Sequence, residues 1–210
     1  PARATVASSS AAAAGNPLLA AWRTPFETPP FGEIRPAHFL PAFEAAFAEH
    51  AAEIAAIKAD PAEPTFDNTI AALERAGRRL TRVSAVFYAL VGAHSNPELL
   101  AIESEVALRQ ARHWNPITMD AVLFARVARL REQAATLGLT PEQARLLERT
   151  WTHFHRAGAG LDAAAKERMA AINERLAQLA TTFSHHLLGD EQDWTLELGA
   201  DDLAGLPDSF

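Results

Sequence analysis

The chain contains no cysteine. That removes thiol nucleophiles, disulfides and thiolate metal sites together. It leaves the compartment open, because disulfide-free proteins occur in cytoplasm and periplasm alike. No apolar run approaches the roughly 20 residues needed to cross a bilayer, so no membrane span is expected. Basic residues number 19 against 26 acidic ones, for a formal net charge of -7, and no Lys/Arg block stands out. The densest cluster, Arg78, Arg79 and Arg82, falls among apolar residues of a helical stretch and reads as a solvated face. A nucleic-acid partner would call for a basic stripe with exposed aromatics, so none is expected. A glycine-rich phosphate loop is missing too. Gly158 and Gly160 follow a helical stretch, not a strand, and so read as helix termination.

What is present points to a globular helical protein. The 210 residues are 49% hydrophobic and 21% charged, with a mean hydropathy of -0.06. That is enough apolar material for a substantial core in a chain that stays soluble. Residues 1–15 are Ala/Ser-rich and read as a disordered leader. The leader lacks the apolar core of an intact signal peptide, yet suits the mature start of an exported protein, which leans the assignment to the periplasm over the cytoplasm. Residues 16–35 concentrate Pro17, Pro25, Pro29 and Pro30 with Trp22, Phe26 and Phe31. Proline blocks regular helix there, so the segment should be an extended arm that docks by its side chains.

Residues 36–190 carry helical periodicity throughout and divide into about six helices. Phe39, Phe43, Phe47, Ala51 and Ile54 share one face of the first, which should end near Ala59. The second should run from about Asn68 to Gly92 with Asp67 as its cap. Leu73, Leu80 and Phe87, with Ala76, Val83 and Leu90 beside them, form a heptad seam along it. Asn96-Pro97-Glu98 opens the third, and Asn115-Pro116 should end or kink it. A fourth, from about Thr118, closes at Gly138. Thr140-Pro141-Glu142-Gln143 has the form of a capping box for the fifth, whose buried residues should be Ala144, Leu147, Trp151 and Phe154. Asp162 should cap the sixth, with Ala165, Met169, Ile172, Leu176, Leu179, Phe183 and Leu187 in three–four alternation. Trp194 to Leu198 alternates like a strand, and residues 191–210 read as the truncated start of a further segment whose strand partner lies outside the chain. The fold class expected is all-α, a long-helix bundle with one short strand near its C-terminal end.

Chemistry is sparse in this pattern. The eight histidines include no His-Glu-x-x-His. His153 and His155 are two apart and His185 and His186 adjacent, so neither pair converges on one helix face. His38, His50, His94 and His113 are isolated in sequence. Glu103 and Glu105 diverge for the same reason as the histidines. Asp190, Glu191 and Asp193 read as a solvated helix end. Ser84, Ser95, Ser104 and Ser184 lack a nucleophile-elbow context. No residue is assigned a catalytic, cofactor-binding or metal-binding role.

Several stretches in order carry a resemblance. They are Asn16-Pro17-Leu18-Leu19, Phe66-Asp67-Asn68-Thr69-Ile70-Ala71-Ala72-Leu73-Glu74, Leu80 through Tyr88, Ala93-His94-Ser95-Asn96-Pro97-Glu98-Leu99, Leu123-Phe124-Ala125-Arg126-Val127, Arg156 through Leu161 and Leu203-Ala204-Gly205-Leu206-Pro207. Together they resemble the N-terminal region of the thimet-oligopeptidase-like zinc metallopeptidases, nearer the peptidyl-dipeptidase branch than the oligopeptidase A branch. The resemblance implies a two-lobed helical enzyme with a deep channel, acting on short peptides and releasing C-terminal dipeptides. It implies zinc held by an HExxH helix and a later glutamate, all outside this chain. This chain would then be a non-catalytic N-terminal lobe, inactive alone. Its partner would be the C-terminal catalytic part of the same protein, met through the Pro/Phe arm or the Phe-rich first helix. The complete protein would be a monomer. The alternative is a stand-alone helical protein-interaction module, for which the heptad seam and acidic surface speak.

Overall fold

The computed structural model describes residues 15–199 together with Asp202, Ala204, Gly205 and Pro207. The leader expected over 1–15 therefore lies outside the described residues except for Gly15, and so do Asp201, Leu203 and Leu206 of the closing turn. The described chain is all helical. Seven α-helices follow in order: α1 Phe39–Ala59, the single turn α2 Ala72–Arg75, α3 Arg78–Ala93, α4 Pro97–Thr118, α5 Ala121–Glu132, α6 Pro141–Arg156 and α7 Ala163–Asp193.

Residues 16–35 hold turns and one 3-10 turn, Pro25–Glu27. Leu18 and Ile34 are buried in the core, and Trp22 packs against its edge. The Arg82 guanidinium lies 4.7 Å from the Trp22 ring centre and donates to the carbonyls of Leu18 and Ala20. Asn16 ties the segment to the start of α1 by donating to the His38 carbonyl at 2.8 Å. Phe26, 98% exposed, and Phe31 project away from this contact.

Three apolar clusters hold the bundle. The first joins α1, α3 and α4 around Phe39, Phe43 and Phe87. The Phe39 and Phe43 rings meet Phe87 edge-on at 4.9 and 5.5 Å, a geometry that aligns positive ring edge with negative ring face. The second sets Ile54 and Ile57 of α1 against Ile117, Leu123 and Phe154. The third packs Ile70, Val127, Leu130 and Leu147 beside the π-helical turn Phe66–Ala71. On α1 the buried stripe also takes in Ala42, Ala46, His50 and Ile57, whereas Ala51 is exposed.

Several expectations need correction. The single helix expected from Asn68 to Gly92 is broken. Ala76 is extended and Gly77 is left-handed at φ 74°, so α2 ends and α3 restarts in a new direction. The heptad seam is split accordingly: Leu80, Val83 and Phe87 sit in the first cluster, and Leu73 and Ala76 border the second. The cap is Thr65, not Asp67; its side chain accepts from the Asn68 N–H while Asn68 returns a bond to the Thr65 N–H. Asn115 and Pro116 lie in the last turn of α4, which stops at Thr118, two residues beyond the proline. A proline there costs one backbone bond close to an end that frays in any case. The fourth helix starts at Ala121, capped by Asp120, which accepts from the N–H groups of Val122 and Leu123. Ala144 of α6 is exposed, leaving Leu147 and Phe154 as that helix's fully buried anchors. The strand expected at Trp194–Leu198 does not form: among the described residues there is no strand, and a strand needs a ladder partner to persist.

Helix α7 departs furthest from its expected role. It is the longest element, 31 residues, and has no buried residue. It lies along α4 through small and polar side chains. Asn173 donates to Asn115 at 2.8 Å, Arg112 meets Glu174 at 3.1 Å, and His185 meets Glu103 at 2.6 Å. Ile172, Leu176, Leu179 and Phe183 of its apolar pattern are exposed away from that contact.

Candidate functional site

Where α1 crosses α4, two histidines that are isolated in sequence meet. His50 Nδ1 and His113 Nε2 are 2.8 Å apart, so one ring donates and the other accepts. His50 is buried, and Phe47 and Trp114 pack on the pair with ring centres 4.7 Å from His113 and 5.0 Å from His50. Burial lowers the His50 pKa, with the Glu53 carboxylate pulling the other way. Burial and the neighbouring His50 together hold His113 down to about 4. Both rings are therefore neutral near pH 7.

Beside His50 a groove of about 340 Å³ opens between α1, α2, α4 and α6. Ile54, Leu73, Ile117 and Phe154 form its apolar wall, and Glu74, Arg149 and His153 stand at its edge. The groove can accept an apolar side chain. Its two hydroxyls are turned back on their own helices, Thr118 donating to the Trp114 carbonyl at 3.0 Å and Thr150 to the Leu146 carbonyl at 2.9 Å, so neither is held by a base.

The remaining candidates do not assemble into a reactive constellation. His153 and His155 point apart. His155 stacks on Trp151 with ring centres 4.8 Å apart, while His153 lies edge-on to Phe154. Glu103 pairs with His185 and Glu105 with Arg109. The Arg78–Arg82 cluster disperses, with Arg79 on Glu49 and Arg82 on the N-terminal segment. His38 accepts from the Arg35 N–H. Tyr88 donates to Gln110 at 2.9 Å, and burial, with Glu103 nearby, raises its pKa.

Zinc, the metal implied by the resemblance, does not fit these donors. Two imidazole nitrogens on one tetrahedral ion at 2.0–2.1 Å stand about 3.3 Å apart, more than the 2.8 Å of the His50–His113 bond. Among the described residues no three His, Asp or Glu side chains are grouped as metal ligands. No helix among them is long and apolar enough to cross a membrane.

Comparison with known proteins decides the family. Over 173 residues, 82% of this chain, the sequence is 39% identical to the dipeptidyl carboxypeptidase of Escherichia coli strain K12. The match covers 25% of that protein. The chain belongs to the peptidase family of these relatives. The dipeptidyl carboxypeptidase of Salmonella typhimurium is 38% identical over the same share of the chain. The oligopeptidase A of Escherichia coli strain K12 is 27% identical over 195 residues, covering 92% of this chain and 28% of that protein. No protein-family model matches the chain. The chain thus spans about a quarter of the length of the curated relatives it matches. The family resemblance was legible in the ordered motifs. The His50–His113 contact was not, because its partners lie 63 positions apart with no shared motif.

Proposed function

We propose that this chain is the non-catalytic N-terminal lobe of a zinc peptidase that removes dipeptides from the C-terminus of short peptides. The observation that carries the reading is the 39% identity to a dipeptidyl carboxypeptidase across most of the chain. In this role the bundle walls and covers a substrate channel, and the complete protein works as a monomer. The zinc and its ligands belong to the remainder of the polypeptide, which fits donors here that are engaged with one another. Helix and groove surfaces contribute shape and exclusion rather than bond-breaking groups. A lobe of rigid helices can restrict entry to short unfolded peptides without touching the reacting atoms.

The test is hydrolysis by the full-length, zinc-loaded polypeptide. An N-acylated tetrapeptide should release its C-terminal dipeptide, and the same sequence embedded in a folded domain should stay intact. A full-length protein that hydrolyses neither would overturn the reading.

A further inference from the structure

The solvent side of α7 is built like an interface. Ile172, Leu176, Leu179 and Phe183 are 38%, 57%, 47% and 69% exposed, while Leu187, 49% exposed, borders the cleft that α7 forms with Tyr88 and Leu100. The spacing of four, three and four residues from Ile172 to Phe183 lines those four along one side of the helix. That side is turned well away from the one carrying Asn173, Ala177, Thr181 and His185 towards α4. No Lys, Arg, Asp or Glu occurs from Leu176 to Gly189. A helix side meant for water carries charge, and one that joins a core does not. Just beyond the helix, Trp194, Leu196 and Leu198 are also exposed. Together they extend the apolar surface in a way single surface residues do not.

We infer that this stripe is the seam against which a helix from the remainder of the polypeptide packs. The inference rests on the lobe reading above and names the surface that joins the lobe to its catalytic part. Three observations choose this occupant. The relatives are about four times as long as their matched region, so a large partner surface belongs to the same polypeptide. The four–three–four spacing of Ile172, Leu176, Leu179 and Phe183 is that of a helix packed at a shallow angle along another. A lipid surface is a poor occupant, because no Lys or Arg follows Arg175 and the helix ends on Asp190, Glu191 and Asp193, whereas interfacial helices carry basic residues. The Phe-rich face of α1, by contrast, is spent internally, with Phe39 and Phe43 fully buried.

The test uses single cysteines, which this chain lacks. F183C and L176C are placed on the stripe, and Q178C, on an exposed part of the same helix away from it, serves as control. Thiol labelling is followed by peptide mass spectrometry in the 210-residue chain and in the full-length polypeptide. The stripe thiols should label about tenfold or more slowly in the full-length protein, and Q178C at the same rate in both. Equal rates at both stripe positions would overturn the inference. So would a 210-residue chain that is already dimeric with its stripe protected, since a second copy would then be the occupant. Peptidase activity of the unsubstituted full-length protein is read separately. A protected stripe in an inactive protein keeps the seam and removes the peptidase reading; an exposed stripe in an active protein does the reverse.

Discussion

At position 77 the backbone is left-handed, φ 74°, and an added Cβ would sit 3.1 Å from the His50 ring. The same residue's N–H donates to Glu53. Gly77→Ala should therefore destabilise the fold by about 1–2 kcal/mol from backbone strain, read from the denaturant midpoint. An unchanged midpoint would contradict the role given to this turn. The histidine pair next to it sets a pH dependence. Its folded pKa values lie below the ordinary 6.5, so the unfolded chain binds protons first as pH falls. The stability it supplies is complete above about 6.5 and is lost as pH drops towards about 4. Glu53 opposes this at His50 without reversing it. The denaturant midpoint should fall across that window, and His113→Asn should flatten the slope; an identical slope in the variant would refute the assignment. Neither residue's role was legible in the sequence. Gly77 stood inside a good apolar repeat, and a repeat does not reveal a positive φ. His50 and His113 meet only because α1 crosses α4.

At the scale of elements, local signals are legible in the sequence and long-range ones are not. Asn96, Thr140 and Asp162 cap their helices as their sequences imply, because a cap needs only residues two or three positions away. Thr140 accepts from the Gln143 N–H at 3.2 Å while Gln143 accepts from the Thr140 N–H at 3.0 Å. Thr140→Ala should cost about 1 kcal/mol of stability; a loss below the resolution of urea titration would mean that tertiary packing alone fixes the start of α6. The heptad seam failed because periodicity describes a continuous helix, and the chain turns at Ala76-Gly77. The strand at Trp194–Leu198 failed because alternation gives a segment two faces but supplies no neighbour to pair with. For α7 the apolar pattern was visible, but not the side on which the helix packs. Small and polar residues carry its contact with α4, leaving the pattern outward.

For the whole molecule, the core is asymmetric in a way that follows from this. The first cluster binds α1, α3 and α4 around three phenylalanines with the N-terminal segment over its edge, and two smaller clusters hold α5 and α6. The longest helix lies outside all three. The bundle closes three clusters while its longest helix keeps an exposed apolar stripe, and the relatives are about four times as long as the region they share with it. The all-helical class and the family were legible because both depend on patterns spread along the sequence. The exposure of the α7 stripe was not, since exposure is a property of the assembled bundle.

The measurement that bears most directly on this account compares two zinc-supplied samples, the full-length polypeptide and the 210-residue chain, for release of a C-terminal dipeptide from an acylated tetrapeptide. The full-length protein should show chelator-sensitive release and the chain alone none. Release by the 210-residue chain would contradict its assignment as a non-catalytic lobe, and its absence from both would contradict the peptidase.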